Sequence, residues 1–243
     1  MDPVLIIGYG EIGKAIEQLE EDLDNPVQTL DPYQNRFSRE EYFSVIHVCI
    51  PYSDKFVGII QGYLDHFHWD ICFIHSTVKV GTCRKLKKQR NSQSLVHSPV
   101  RGKHPNLYKS LTWFTKYVGG EEIDCDKALK YLRKFDIRCK RLGDFEATEL
   151  AKLLSTAYYG WNISFAERAQ KLCDKYGQDY DEVMKEWNIT YNRGYEGMGM
   201  KWVCRPVLHA PEGGIGGHCV YENCDLLGEK GIKKEVQRLG KKK

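Results

Sequence analysis

The 243-residue sequence predicts an α/β fold, in which a parallel β-sheet flanked by helices is followed by an α-helical domain with a long central helix. Short apolar runs of strand type alternate with helical patterns over residues 1–143, an order typical of parallel sheets with right-handed crossovers. A glycine-rich turn follows the first of these runs. From residue 144 onward, apolar residues recur at helical spacing long enough to predict one long helix. We therefore predict two domains, residues 1–143 and residues 144–243.

The glycine-rich turn is the motif G-x-G-x-x-G at residues 8–13, placed between an apolar strand and a helical pattern. Gly8 is expected to make the tight turn, Gly10 to let the backbone approach a pyrophosphate, and Gly13 to let the helix pack on the strand. The free N–H groups of the helix N-terminus favour phosphate there. The motif predicts a Rossmann-type domain whose dinucleotide contacts come from Gly8, Tyr9, Gly10, Glu11, Ile12 and Gly13.

The second predicted strand covers residues 27–30 and ends at Asp31. An acid at this place is expected to bind the 2′ and 3′ hydroxyls of the ribose, and its carboxylate would repel a 2′-phosphate. The sequence therefore favours NAD over NADP. Arg36 lies close enough in sequence to keep NADP open as an alternative.

Two further apolar runs, residues 44–50 and 71–75, read as buried strands. Ligands of parallel sheets bind beyond the carboxyl ends of the strands, which adds to the predicted cofactor site Pro51, Ser53, Ser76 and Thr77. Shorter strands are predicted at residues 95–97, 117–118 and 137–139, the last closing the sheet near its edge. His75 and His97 are expected to be hydrogen-bonded structural residues.

The long helix is predicted to begin after the N-cap Asp144 and to end before Gly177, a natural residue just past a helix C-terminus. A helix of some 32 residues is about 48 Å long, too long for the flank of one small domain. Its apolar stripe therefore predicts a homodimer, and comprises Leu150, Leu153, Leu154, Ala157, Trp161, Phe165, Ala169 and Leu172. A second helix is expected at residues 179–187 and irregular chain at residues 188–211.

A second glycine-rich segment, Pro-Glu-Gly-Gly-Ile-Gly-Gly-His-Cys, occupies residues 211–219. Glycines let backbone approach a ligand closely, and a cysteine presented there can be a nucleophile when its thiolate is stabilised. The alternative interpretation is a glycine-rich turn before a buried cysteine.

Composition narrows the class of protein. The sequence has 36 basic and 33 acidic residues, a net charge of +3 that predicts no nucleic-acid partner. No membrane span and no signal peptide are expected. Nine scattered cysteines without a C-x-x-C pair indicate a reducing, cytoplasmic compartment with no disulfide framework and no metal site.

Several segments in this order resemble the UDP-glucose/GDP-mannose dehydrogenase family, the nucleotide-sugar dehydrogenases. Besides the N-terminal glycine motif, they are residues 76–82 (Ser-Thr-Val-Lys-Val-Gly-Thr), 97–99 (His-Ser-Pro), 118–120 (Val-Gly-Gly), 149–153 (Glu-Leu-Ala-Lys-Leu) and 214–219 (Gly-Ile-Gly-Gly-His-Cys). The last resembles the family's catalytic loop, which makes Gly214, Gly216, Gly217 and His218 the expected substrate loop. The resemblance further implies that the sequence is short of the family's C-terminal UDP-binding domain.

The resemblance implies a double oxidation of a sugar C6 alcohol to a carboxylate with two NAD⁺. Cys219 would capture the aldehyde as a thiohemiacetal, which is oxidised to a thioester and hydrolysed by water. Lys152 would stabilise the developing oxyanion, and Thr77 would help to place the water. Three catalytic positions depart from the family pattern: Val100 replaces a glutamate that acts as acid-base in hydrolysis, Thr156 an asparagine, and Asn223 an aspartate.

Two other functions remain open from the sequence. The chain also resembles single-step dehydrogenases of the 6-phosphogluconate and hydroxyisobutyrate group, which share the Rossmann domain, the long helix and a catalytic lysine but need no cysteine loop. A non-catalytic, NAD-binding dimeric module is the third hypothesis, favoured by the three altered positions.

Overall fold

The structure is a computed structural model that describes residues 3–34, 36–38, 40–90, 92–102, 105–211, 215 and 218–238, with His218 described by its backbone alone. The chain divides into two compact units, Met1–Lys152 and Leu153–Lys243. This division lies inside the long helix, whereas the sequence places the domain boundary at its start.

The first unit is a parallel α/β sheet, as predicted. Five strands pair in the order β2-β1-β3-β4-β5, all parallel. In chain order its elements are β1 (Val4–Ile7), α1 (Glu11–Glu21), β2 (Val27–Leu30), β3 (Tyr42–Val48), α2 (Phe56–Leu64), β4 (His68–Ile74), α3 (Thr82–Lys88), β5 (Leu95–His97), α4 (Leu107–Trp113), β6 (Lys116–Val118), α5 (Glu122–Leu132) and β7 (Cys139–Arg141).

The last strand differs from the prediction. It begins at Cys139 and pairs in parallel with β6 in a separate two-stranded sheet. The main sheet meets this pair through one antiparallel bridge between His97 and Gly119. The apolar residue Ile137, which suggested an earlier start, is instead buried in a hydrophobic cluster.

Alternating side chains of the strands point to two separate hydrophobic clusters, as the period of two requires. Val4, Ile6, Val45 and Phe73 pack with α1, α4 and α5. Their sequence neighbours on the strands pack instead with α2, α3 and Phe145, the first residue of the long helix. Both faces of the sheet are covered, which explains why its strands are nearly continuous apolar runs.

The long helix α6 runs from Phe145 to Tyr176, 32 residues. Asp144 caps it, because its Oδ1 accepts the N–H of Ala147 at 3.2 Å. The next residue after the helix, Gly177, has φ +66°, a conformation that favours glycine. Both predicted ends are therefore confirmed.

The second unit continues with helices. A π-helical turn, Asp181–Glu186, leads directly into α7 (Trp187–Gly197), and α8 (His218–Leu227) and α9 (Lys230–Gln237) follow. The prediction of irregular chain from residue 188 is wrong for α7. Contacts outside the helix offset the low helix propensity of its two glycines. The Arg205 guanidinium lies 3.5 Å from the ring centroid of Tyr191. The Asn192 side-chain amide donates to the Arg205 carbonyl oxygen and accepts the Arg205 N–H. Across the described residues, every helix is too short or too polar to span a bilayer.

Candidate functional site

The three glycines of the N-terminal motif have distinct surroundings. Gly8 has φ +92°, and a Cβ on it would lie 2.7 Å from Cγ2 of Ile50. A Cβ on Gly13 would lie 2.2 Å from the carbonyl oxygen of Gly8, whereas a Cβ on Gly10 would meet nothing within 4 Å. Gly8 and Gly13 are thus required by packing, and Gly10 leaves open space at the loop. This cradle fits a dinucleotide pyrophosphate.

The loop lies where the sheet order reverses, because β2 and β3 lie on opposite sides of β1. A crevice at the carboxyl ends of the strands forms at such a switch point. Helix α1 begins at Glu11, directly after the loop, and the N–H of Lys14 makes the first helical bond to Gly10. Helix α1 thus directs its N-terminus at the glycine loop, where the helix dipole favours an anion.

Asp31 lies next to this loop. Its Oδ2 accepts the N–H of Tyr9 at 2.8 Å, and its Oδ1 accepts the N–H groups of Tyr33 at 2.9 Å and Gln34 at 3.3 Å. The hydrogen bonds from Tyr9 and Tyr33 lower the pKa of the Asp31 carboxyl. The acid predicted to bind the ribose is therefore an ionised carboxylate attached to the glycine loop.

Glu17 on α1 joins two residues of this region and was not anticipated from the sequence. It accepts hydrogen bonds from the Tyr9 hydroxyl and from the Arg36 guanidinium. That guanidinium also lies 4.9 Å from the ring centroid of Tyr9. Burial and the neighbouring Glu17 raise the pKa of Tyr9. We call Tyr9, Glu17 and Arg36 the loop cluster.

The other predicted cofactor residues border the carboxyl ends of β3 and β4. The Ser76 hydroxyl donates to the carbonyl oxygen of Ile50 at 2.6 Å and so joins the two strand ends. Pro51 and Ser53 are exposed, and Thr77 is half-buried. The structure thus brings these residues to the same edge of the sheet as the glycine loop.

The first turns of α6 attach to this edge through three side chains. The Thr148 hydroxyl lies 2.8 Å from Nδ1 of His97, Glu149 accepts the N–H groups of Gly81 at 2.6 Å and Cys83 at 2.8 Å, and Lys152 donates to the carbonyl oxygen of Val100 at 2.8 Å. Burial raises the pKa of Glu149. Lys152 is therefore held against the segment that follows β5. The side chain of Val100, where the resemblance expects a glutamate, is buried in the core.

A second lysine lies beneath the same segment. Lys116 is 4% exposed, and its Nζ donates to the carbonyl oxygens of Ser98 at 2.7 Å and Pro99 at 3.4 Å. Burial lowers its pKa to about 7, and the charge of Lys152 adds to this. No feature of the sequence other than a lysine at the start of a short strand indicated this position.

Lys116 is one end of a buried polar chain. Its Nζ is 3.2 Å from Nδ1 of His75, Nε2 of His75 is 2.8 Å from Nδ1 of His47, and Nε2 of His47 is 2.9 Å from Glu20. Glu20 also accepts from Asn25 at 2.8 Å and Tyr131 at 2.6 Å. Burial lowers the pKa of His75 well below its usual range. We call Glu20, His47, His75 and Lys116 the buried polar chain.

Counting protons constrains this chain. Glu20 acts as an acceptor, so His47 donates to it from Nε2. A neutral His47 would then accept from His75, leaving Nδ1 of a neutral His75 without a proton only 2.7 Å from the carbonyl oxygen of Ser98. Two acceptors at that distance repel. The Lys116 Nζ, which lies 3.2 Å from Nδ1 of His75 and 2.7 Å from the Ser98 oxygen, can donate to both acceptors and offset the repulsion.

Cys219 belongs to the second unit, in the first turn of α8, and is exposed. The other eight cysteines are buried or half-buried, and all nine are free thiols. The predicted loop residues Gly214, Gly216 and Gly217 and the side chain of His218 lie outside the described residues.

Two of the altered positions contact each other, because the Asn223 amide donates to the Thr156 hydroxyl at 3.1 Å.

The predicted apolar stripe of α6 divides in the structure. Leu153, Ala157 and Ala169 are buried. Exposed apolar and aromatic side chains recur at helical spacing along the same helix, namely Leu154, Tyr158, Trp161, Phe165, Leu172 and Tyr176; we call them the exposed stripe. Trp161 and Phe165 also line a cavity of about 760 Å³ with Tyr180, Met184, Trp187 and Leu208.

Residues 146–238 match the model of the UDP-glucose/GDP-mannose dehydrogenase family, central domain. Among curated proteins, the chain is 25% identical over 167 residues to UDP-N-acetyl-D-mannosamine dehydrogenase of Pyrococcus horikoshii, covering 65% of this chain and 37% of that protein. It is 24% identical over 168 residues to NDP-N-acetyl-D-galactosaminuronic acid dehydrogenase of Ralstonia solanacearum, covering 62% and 37%. The chain thus spans little more than a third of the length of these relatives.

Solved structures with a similar fold include UDP-D-ManNAc dehydrogenase from Pyrococcus horikoshii, with a TM-score of 0.77, 19% identity and coverage of 98% of this chain and 68% of that chain. Another is 3-hydroxyisobutyrate dehydrogenase of Mycobacterium tuberculosis, with a TM-score of 0.71, 16% identity and coverage of 93% and 85%.

Proposed function

We propose that this chain, which belongs to the UDP-glucose/GDP-mannose dehydrogenase family through residues 146–238, is an NAD-dependent dehydrogenase that oxidises a CH–OH group. The observation that carries the proposal is the glycine cradle: Gly8 and Gly13 are packed too closely for a side chain, while Gly10 faces open space. Asp31 is bonded to the same loop. NAD⁺ bound there would accept a hydride from the substrate carbon.

The residues of the chain have separable roles in this proposal. The Gly10 backbone and the N-terminus of α1 bind the pyrophosphate, and Asp31 binds the ribose hydroxyls. Pro51, Ser53, Ser76 and Thr77 border the nicotinamide side of the crevice. The proposed domains are the dinucleotide-binding part, residues 1–143, and the helical part, residues 144–243.

The finer proposal is a nucleotide-sugar 6-dehydrogenase. Lys152 stabilises the alkoxide as the C6 alcohol loses its hydride and its proton. The Cys219 thiolate adds to the resulting aldehyde, loss of a second hydride leaves a thioester, and water releases the carboxylate and the thiol. Exposure of Cys219 supports its role as nucleophile. Gly214, Gly216, Gly217 and His218 would hold the substrate beside it.

Two observations bear on the hydrolytic half of this reaction. Val100 is a core residue whose carbonyl oxygen holds Lys152, so its side chain supplies no acid or base. The bond between Asn223 and Thr156 ties α8 to α6 within Leu153–Lys243. Each partner follows a proposed catalytic residue by one turn of its helix, Asn223 after Cys219 and Thr156 after Lys152. This pairing supports a positioning role for the two altered residues.

A single-step dehydrogenase for a small hydroxy acid is the second candidate. The likeness to the hydroxyisobutyrate dehydrogenase structure covers 85% of that chain, and one lysine suffices for such a reaction. A non-catalytic NAD-binding module is the third. A screen for NADH release with UDP-sugars and with hydroxy acids separates the three.

The cofactor proposal is tested by calorimetry. Gly10→Val is expected to abolish or strongly weaken NAD⁺ binding, because the side chain fills the space opposite the pyrophosphate. Gly62→Val in α2, where a Cβ also meets nothing within 4 Å, serves as the control. Unchanged NAD⁺ affinity in Gly10→Val contradicts the proposal.

The chemistry is tested through Cys219. Cys219→Ser is expected to stop acid formation and to spare the first hydride transfer, and a thioester adduct is expected to accumulate in the unmodified protein because hydrolysis lacks the glutamate. Mass spectrometry after incubation with NAD⁺ and UDP-sugars detects the adduct. Three results together would contradict the dehydrogenase: no adduct forms, no sugar nucleotide yields NADH, and Cys219 alkylates no faster than the buried Cys173. The non-catalytic NAD-binding module would then be the favoured function.

We further propose a cytoplasmic homodimer formed through the exposed stripe of α6. Six large apolar side chains in one row would otherwise face water. Phe165→Glu is expected to halve the mass measured by light scattering, whereas Lys171→Glu, on another side of the helix, is expected to leave it unchanged. A monomer mass for the unmodified chain at micromolar concentration contradicts the dimer.

A further inference from the structure

Arg36 is fixed beside the end of β2. Its N–H donates to the carbonyl oxygen of Thr29 at 3.0 Å, and the Thr29 N–H donates back at 2.9 Å. The Arg36 N–H also lies 3.2 Å from the Thr29 hydroxyl. An arginine near the end of the second strand is the residue type that accommodates the 2′-phosphate of NADP. The structure therefore contains a potential 2′-phosphate ligand in the right region of the fold.

The guanidinium of Arg36 is already occupied. It packs over the Tyr9 ring and forms an ion pair with Glu17. The Glu17 side chain is only 11% exposed and also accepts the Tyr9 hydroxyl. Glu17 therefore holds Arg36 from a nearly buried position on α1, whose geometry is set by the glycine loop.

The glycine loop has no excess of positive charge around it. Three carboxylates, Glu11, Glu17 and Asp31, lie on or beside the loop. The cations are two, Arg36 and the Lys14 ammonium, which lies 6.0 Å from the Tyr9 ring centroid. A 2′-phosphate brings roughly two negative charges and would meet no net positive charge here. Its binding would require Arg36 to leave Glu17, and the nearly buried carboxylate would then keep the Tyr9 hydroxyl but lose its counter-charge, which is unfavourable.

We infer that Glu17 sets the dinucleotide preference of this chain by occupying Arg36, so that a latent 2′-phosphate site stays closed. Asp31 adds a direct repulsion. The inference rests on the proposed function, in that it takes the glycine loop to bind a dinucleotide. Without the Glu17 carboxylate, the Arg36 side chain, which is 55% exposed, is free to turn to a phosphate.

The test is calorimetric measurement of the Kd for NAD⁺ and for NADP⁺. In Glu17→Gln, NADP⁺ is expected to bind about tenfold more tightly, the size of one charge-assisted contact, while the Kd for NAD⁺ stays within about twofold. Glu17→Gln/Arg36→Met is expected to lose the gain. Glu21→Gln removes the same charge from an exposed position of α1 and is expected to change neither Kd.

A second measurement does not depend on how well Glu17→Gln folds. Arg36→Met alone is expected to leave the Kd for NADP⁺ unchanged, because Arg36 is not available to the phosphate in the unmodified chain. Weaker NADP⁺ binding in Arg36→Met, or no gain in folded Glu17→Gln that still binds NAD⁺, overturns the inference. Absence of NAD⁺ binding in the unmodified chain contradicts the proposed function itself.

Discussion

The two faces of the central sheet differ in the polarity of the side chains that cover them. The face toward α2, α3 and the start of α6 is apolar along the strands, with Leu5, Ile7, Ile46, Val48, Cys72 and Ile74 in one cluster. The opposite face carries, among its apolar residues, the buried polar chain from Glu20 to Lys116. The first face is stabilised by the burial of apolar surface, and the second by that burial together with hydrogen bonds between buried polar groups.

This difference has consequences for tolerance to change. An apolar contact is non-directional, so a smaller side chain loses part of its stabilisation and little else. A buried polar group that loses its partner retains the full cost of desolvation. We therefore expect the two faces to respond differently in the size of the effect and in its dependence on pH.

The largest effect is expected for Glu20→Leu. The substitution leaves His47, Asn25 and Tyr131 without their shared acceptor in the interior, and each buried donor that loses its partner costs about 1–3 kcal/mol. Urea unfolding at pH 7 measures this. Glu21→Leu, at the next and exposed position, is the control, with an expected change within about 0.5 kcal/mol. Equal effects at the two positions would remove the distinction between the faces.

An intermediate effect, specific in sign, is expected for Lys116→Met. The folded pKa of Lys116 is about 7, below the ordinary lysine value of roughly 10.4. Between these values the unfolded chain holds a proton that the folded chain lacks, so the free energy of unfolding rises with pH. Relative to Lys116→Met, the free energy of unfolding of the unmodified chain is expected to rise by at most about 1.4 kcal/mol per pH unit from pH 7 to 9. Parallel stability curves for the two proteins would refute a neutral Lys116.

The smallest effect is expected for Ile46→Val on the apolar face. Ile46 is fully buried, and loss of one methylene costs roughly 1 kcal/mol. Because the deleted methylene carries no charge and makes no hydrogen bond, the same loss is expected at pH 6 and pH 9. A pH-dependent loss in the same urea experiment would show that the faces are coupled.

The predictable features of the molecule are those that depend on local sequence. The alternation of strands and helices, the tight turn at Gly8 and both ends of α6 follow from residue types within a few positions of one another. The resemblance to the family whose model matches residues 146–238 followed from motifs in order. The predicted site residues of the first unit lie along one edge of the sheet, and their roles stay predictions.

The less predictable features depend on residues far apart in the sequence. Glu20, His47, His75 and Lys116 are separated by 27, 28 and 41 positions, and each alone reads as an ordinary polar residue. The one available signal is a histidine within or at the end of an otherwise apolar strand. In α7, the glycines suggested irregular chain. The contacts of Arg205 with Tyr191 and Asn192 come from outside the helix, so the helix propensities of its own residues do not reveal them.

The distribution of thiols gives the molecule a set of internal reporters. Burial raises the pKa of Cys49 to about 12 and of Cys125 to about 11, and both belong to the first compact unit, whereas Cys173 and Cys224 are buried in the second. A thiol reacts only when it is exposed and deprotonated, so modification of these residues requires local opening. The rates at which these cysteines are alkylated would therefore report the local opening of each unit separately, without an engineered cysteine.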